Sequence, residues 1–213
     1  MRLSPAINWI FWDNDGVLVD TERLYFRATR DVLATTGVEL TEEMFVELFL
    51  VQSRGAWHLA AERGVAPDEI EALRRRRSEV YSELLEAGRV LLPGVREALE
   101  RLRGRVRMGV VTSSRRAHFE IIHRSTGLLE FFEFAVTADD CVRVKPEPEP
   151  YLRAISLAGA APEACIAVED TMRGLAAARS AGLRCWVIPS HFMPQCDFAG
   201  ADRILRGIEE IEP

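Results

Sequence analysis

The stretch NWIFWDNDGVLVDTE, residues 8–22, begins as an apolar run and ends in three acids, Asp13, Asp15 and Asp20. The run over residues 7–12 reads as a short strand buried on both faces. Asp13 and Asp15 then sit at its carboxyl end. Residues i and i+2 of an extended chain point to one side, so the two carboxylates face the same space. Held together, they raise each other's pKa unless a positive charge intervenes. A pair of solvated loop acids has the same spacing, and D-x-D alone is a weak signal. D-x-D-G directly after an apolar strand, followed by more apolar residues and a further acid, is more specific. It directs attention along the chain to a cation and to further oxygen ligands.

Strand-like and helix-like patterns alternate outward from this point. Residues 21–90 read as helical throughout, with helices expected after Asp20, over 41–50, 55–63 and 67–86. Beyond Pro93-Gly94 the pattern changes. Strands are expected over 106–111, 134–137, 165–168 and 183–188, separated by helices over 95–102, 116–126, 151–158 and 173–181, with a last short helix over 204–211. Near-continuous apolar strands alternating with helices specify a parallel sheet covered on both faces. The fold class is α/β: a Rossmann-like parallel sheet core, residues 1–20 and 91–213, with an all-helical cap domain, residues 21–90, inserted after the first strand.

The composition limits the function. A chain of 213 residues that is 48% hydrophobic and 28% charged can build a real core. A net charge of -6 argues against nucleic acid as a partner, which requires a basic footprint. No apolar run reaches the ~18 residues of a membrane span. The first residues carry no small-residue cleavage site, so no signal peptide is expected. Cys141, Cys165, Cys185 and Cys196 form no C-x-x-C pair or zinc-ligand spacing, which fits reduced thiols in a cytoplasmic protein. Lys145 is the only lysine among 27 basic side chains, which raises the question of whether arginine would fail there.

In an open parallel sheet, ligands bind beyond the carboxyl ends of the strands. The first strand delivers Asp13, Asp15 and Gly16 to that edge, and the second delivers Thr112 and Ser113. Lys145 follows the third strand, and the fourth delivers Glu169 and Asp170. Hydroxyls, carboxylates and one amine from four strands make a phosphate-and-metal site. The hard oxygen ligands favour Mg²⁺.

These segments also carry a resemblance. DNDGVLVDTE (13–22) resembles the first motif of the haloacid dehalogenase superfamily, in the branch of β-phosphoglucomutase and phosphoglycolate phosphatase, which has a helical cap. VVTSS (110–114) resembles the second motif, KPEPEPY (145–151) the third, and VEDT (168–171) through Gly174 the fourth. The resemblance implies Asp13 as the nucleophile that forms an aspartyl phosphate, and Asp15 as the general acid and then base. It implies Mg²⁺ held by Asp13, the main-chain carbonyl of Asp15 and Asp170, with Glu169 acting through water. Thr112 and the Ser113 N–H would bind phosphoryl oxygens, and Lys145 would neutralise the phosphoryl group and Asp13. A compact ammonium suits that crowded position better than a planar guanidinium.

The implied activity is a phosphomonoester hydrolase acting on a small-molecule phosphate ester such as a sugar phosphate, in a monomer or weak dimer. A phosphomutase of the β-phosphoglucomutase type uses the same residues, and a non-catalytic binding domain is a third reading. The second Asp of D-x-D argues against dehalogenation. With Lys145 the only lysine, and in the core, no cap lysine is present to form the Schiff base of phosphonate cleavage. Arg54, in VQSRG (51–55), is the cap candidate for gripping the substrate's distal end. The run Arg74 to Arg77 reads as a solvated helix face, from which one member could still face the cleft. The four histidines match no motif position and read as structural or surface. Two departures stand out: Asn14 fills a position that is usually apolar, and Trp12 precedes Asp13.

Overall fold

The computed structural model describes residues 6–193 and 196–212. The expectation of no signal peptide concerns residues that lie partly outside this range, as do the ends of the expected core domain. The chain divides into two compact units, Met1–Asp20 with Leu91–Pro213, and Thr21–Val90.

The first unit is a six-stranded, all-parallel sheet in the order β3-β2-β1-β4-β5-β6. β1 (Trp9–Trp12) is wholly buried, as a central strand must be. It lies between β2 (Arg107–Val111) and β4 (Cys165–Glu169), with Trp12 opposite Val110 on one side and Val168 on the other. The chain proceeds from β1 through β2 to β3 (Ala135–Val136), then crosses back to lay β4 on the other side of β1. That reversal opens the crevice in which parallel sheets bind ligands.

The helix α5 (Val95–Leu102) buries Val95, Ala98, Leu99 and Leu102, the i, i+3, i+4, i+7 stripe of a helix lying on a sheet. α6 (Arg116–Thr126), α7 (Glu149–Ala158) and α8 (Met172–Ser180) complete the helices of this unit. The points where the chain leaves and re-enters it are joined. Val19 bridges Leu91, and the Leu92 N–H donates to the Leu18 carbonyl at 3.2 Å.

The second unit is helical. α1 (Glu22–Ala34) packs on α4 (Pro67–Ala87), and the shorter α2 (Glu42–Phe45) and α3 (Trp57–Glu62) lie between them in sequence. Its interior is aromatic. The Tyr25 ring meets Tyr81 edge-on at 5.2 Å, and Phe45 stacks on Phe49 at 4.9 Å.

Two expectations are corrected here. The final segment 204–211 is not a helix: β6 (Arg203–Ile204) joins the sheet beside β5 (Arg184–Val187), and a short 3-10 turn, Ile208–Glu210, follows. A two-residue, exposed edge strand is too short to show a period of two, so pairing with β5 decides it. The helix expected over 41–50 ends as α2 at Phe45 and continues as a π-helical turn, Val46–Val51. Among the described residues no helix is long and apolar enough to cross a membrane.

Candidate active site

The sheet ladder delivers the functional main chain. The Asp13 N–H donates to the Val168 carbonyl and the Thr112 N–H to the Val136 carbonyl, each at 2.9 Å, while the Glu169 carbonyl accepts from Ile188 at 2.8 Å. Asp13, Thr112, Glu169 and Asp170 therefore stand on adjacent strand ends, which main-chain hydrogen bonds hold together.

Lys145 ties these ends together. The residue is 3% exposed, with its ammonium inside. It donates to Asp13 Oδ1 at 2.6 Å and to the Val111 carbonyl at 2.7 Å, and lies 2.6 Å from Glu169 Oε1. An ammonium has three N–H bonds, and here each finds an oxygen. A flat guanidinium would have to bring a fixed five-donor fork into the same buried space. The Tyr151 hydroxyl donates to Glu169 Oε1 at 2.5 Å, and the Tyr151 ring lies 5.1 Å from the ammonium.

These contacts set the electrostatics. Burial drives the Asp13 carboxyl up to about 7; Lys145 opposes the rise, and Glu169 and Asp15 add to it. Burial would pull Lys145 down, but the Asp13 and Glu169 charges outweigh it and hold the ammonium at about 12. Tyr151 is raised well above an ordinary phenol by burial and by Glu169, so it remains a donor.

Carboxylate oxygens of Asp13, Glu169 and Asp170, all buried, lie within 4.8 Å of one another. Such a concentrated set of hard oxygens fits a small divalent cation. Two glycines keep it intact. A Cβ on Gly16, whose φ is +84°, would fall 2.0 Å from Asp170 Oδ2, and one on Gly174 would fall 1.8 Å from Glu169 Oε2. Any side chain at either position displaces a carboxylate.

Asp15 stands apart from that acidic cluster. Its Oδ2 accepts from Thr112 Oγ1 at 3.0 Å and from Ser114 Oγ at 2.8 Å. The Ser114 N–H donates to Thr112 Oγ1 at 2.9 Å, which directs the threonine's own proton toward Asp15. Ser113 Oγ is buried and has no hydrogen-bond partner among the described residues.

Asp13, Asp15, Thr112, Ser113, Lys145, Glu169 and Asp170 thus gather at one edge of the sheet unit. Arg54 belongs to the helical unit, where it is exposed and its main-chain N–H donates to the Leu48 carbonyl at 2.8 Å. The arginine run is divided. Arg76 pairs with Glu79 at 3.1 Å on the surface, whereas Arg77 lies 4.5 Å over the Tyr25 ring.

Three contributors received no role from sequence alone. Ser114 and Tyr151 stand inside quoted motifs, but their bonds to Asp15 and Glu169 cross 99 and 18 residues. His123, read only as structural or surface, is buried and lies 2.8 Å from Asn14 Oδ1. One signal for it was present: an amide between two strand-end acids must find a partner if it is buried.

The haloacid dehalogenase-like hydrolase family matches residues 10–188. Protein CbbY of Rhodobacter capsulatus is 32% identical over 91% of this chain and 90% of its own length. The phosphorylated carbohydrates phosphatase of Thermotoga maritima is 34% identical over 82% and 81%. The crystal structure of CbbY from Rhodobacter sphaeroides in complex with phosphate superposes with a TM-score of 0.81 at 30% identity, covering 96% of each chain. The same protein has been solved as a mutant in complex with xylulose-(1,5)bisphosphate.

Proposed function

This chain belongs to the haloacid dehalogenase-like hydrolase family and is a phosphohydrolase, and from that premise we propose a Mg²⁺-dependent phosphomonoesterase that acts on a phosphorylated carbohydrate through an aspartyl phosphate. The observation that carries this reading is the Lys145 ammonium bridging Asp13 Oδ1 and Glu169 Oε1, beside three carboxylates within 4.8 Å of one another. A buried nucleophile compensated by a fixed cation is what a dianionic phosphate ester needs in order to approach.

In this reading Asp13 attacks phosphorus, and the bond from phosphorus to the ester oxygen breaks. Asp15 gives that oxygen its proton, then takes one from the water that attacks the aspartyl phosphate, which returns Asp13 and releases phosphate. Ser114 holds Asp15, and the Ser113 N–H receives a phosphoryl oxygen together with the Thr112 hydroxyl, whose one proton turns from Asp15 to the phosphoryl group when substrate binds. Lys145 offsets the charge that gathers on those oxygens. Asp13, Asp170 and the Asp15 carbonyl would hold Mg²⁺, with Glu169 acting through water from Oε2, which accepts the Asp170 N–H at 3.4 Å and takes no part in the bonds to Lys145 and Tyr151. Bound Mg²⁺ supplies positive charge to the phosphoryl group and the carboxylates.

The helical unit is proposed as the cap, with Arg54 reaching the distal end of the substrate. The carbohydrate substrate class rests on the phosphatase relative. The protein is further proposed to work in the cytoplasm as a monomer or weak dimer.

The test is phosphate release from a panel of sugar phosphates, including a pentulose bisphosphate, with Mg²⁺ or with EDTA. Mg²⁺-dependent release and an acid-stable phosphoenzyme that Asp13→Asn removes are expected. Hexose 1- and 6-phosphates that interconvert faster than they release phosphate would replace the phosphatase reading with a mutase. No turnover of any ester would overturn both.

A further inference from the structure

Asn14 is fully buried between two reacting acids, and its side chain points away from them into the sheet unit. A buried amide is costly unless it is hydrogen-bonded. Its Oδ1 lies 2.8 Å from Nε2 of His123, a residue of α6 that is 3% exposed and more than a hundred residues distant in the chain. His123 Nδ1 lies 2.9 Å from Thr126 Oγ1, which in turn accepts the Leu128 N–H at 3.3 Å. In one arrangement the Thr126 proton faces Nδ1 and the imidazole carries its own proton on Nε2, facing Asn14. Turning the amide over gives the same tether, with Nδ2 donating to Nε2 and Nδ1–H donating to Thr126. The Phe119 ring, 4.4 Å away, limits rotation of the imidazole. Burial lowers His123 to about 4, so the ring is neutral near pH 7.

Asn14 is also the hub of the turn that carries the acids. Its carbonyl accepts the Leu18 N–H at 2.9 Å and the Val19 N–H at 3.1 Å. α6 and the loop that leads into it therefore grip the turn at two points. Ser114, in the loop just before the helix, holds the Asp15 carboxylate at 2.8 Å, and His123, near its end, holds the Asn14 side chain.

We propose that His123 is a positioning residue: through Asn14 it fixes the turn that aims Asp13 and Asp15, and so sets the rate of phosphoryl transfer without touching the substrate. This rests on the phosphomonoesterase reading above. His123 acts as a neutral strut, and no proton passes through it in the reaction. The usual apolar residue at position 14 would leave such a histidine without its partner, which accounts for the amide and the imidazole occurring together in this chain.

The test is steady-state hydrolysis of p-nitrophenyl phosphate with saturating Mg²⁺, on the parent, His123→Leu, His123→Gln, Asn14→Leu and the double leucine variant, each with its melting temperature. The leucine singles are expected to lose about tenfold in kcat with KM within about twofold, since small misalignment of reacting groups acts on turnover. His123→Gln, which keeps an N–H to offer, is expected to recover most of that loss. The double variant is expected to lose no more than either single, because both remove one contact. Should His123→Leu aggregate, His123→Asn, too short to reach Asn14, takes its place. Folded singles with parental kcat, or losses that multiply in the double variant, overturn the proposal. An inactive parent overturns the phosphatase reading instead.

Discussion

At the mouth of the sheet, Lys145 is buried and each of its N–H bonds meets an oxygen within 2.7 Å. In the helical unit, Arg77 lies over the faces of Tyr25 and Trp57 at 4.5 and 5.8 Å, and its buried Nε and Nη1 have no hydrogen-bond partner among the described residues. Both are cations drawn into low dielectric, but they are held differently. Short charge-assisted hydrogen bonds constrain distance and direction together, so the Asp13 and Glu169 carboxylates are held in place. A cation over an aromatic face is attracted with little angular preference, and its neighbours can shift without losing it. One region fixes geometry, as chemistry requires. The other tolerates variation, as suits a unit proposed to adapt to the non-reacting part of different substrates.

Substitutions can break this comparison. If it holds, changes at the sheet mouth lower kcat for every ester, and changes in the helical unit alter KM for particular ones. Asp13→Asn carries the largest expected effect, a loss of about 10⁴-fold or more in kcat with unchanged circular dichroism. Lys145→Met is expected to cost about 10²–10³-fold in kcat through lost charge stabilisation. It also leaves the Asp13 and Glu169 charges uncompensated, a destabilisation of about 3–5 kcal/mol readable by urea unfolding. Gly16→Ala places a methyl on Asp170 in a left-handed backbone position, and a loss of about 10–10²-fold in kcat is expected with weaker activation in a Mg²⁺ titration.

The buried histidine sharpens the same contrast through pH. His123 is lowered from 6.5 to about 4, so between those values the unfolded chain binds a proton that the folded chain does not. The stability it contributes is complete above pH 6.5 and is lost as pH falls through about 4. Urea unfolding at pH 7 and pH 5 should show a drop about 2 kcal/mol larger in the parent than in His123→Gln. The smallest effect is expected in the helical unit. Arg54→Ala should leave kcat on p-nitrophenyl phosphate unchanged and raise KM about tenfold for a phosphorylated carbohydrate, the worth of one charge-assisted hydrogen bond. An equal loss on both substrates would place Arg54 in the chemistry and erase the distinction.

Legibility from sequence followed the range of the forces involved. The run ending in Asp13 announced a buried strand because its apolar continuity is local, and the strand-end acids, hydroxyls and lysine were visible because each motif lies within a few residues. The lone lysine was informative because a site with room for one ammonium and three oxygens excludes the arginine that this chain uses elsewhere. β6 and the π-helical turn were not legible. Their two and six residues carry no periodicity of their own, and pairing with β5 decides the strand.

The sequence by itself determined the parallel α/β architecture, the helical segment after the first strand, and which residues stand at the strand ends, because hydrophobic period and turn chemistry act over short stretches. Only the tertiary structure decided how those residues are wired. Ser114 meets Asp15 across 99 positions and His123 meets Asn14 across 109, neither of them a pairing that the motifs implied. A hydrogen bond requires its atoms to come within about 3 Å, and only packing of the sheet and its helices brings groups so distant in the chain to that separation.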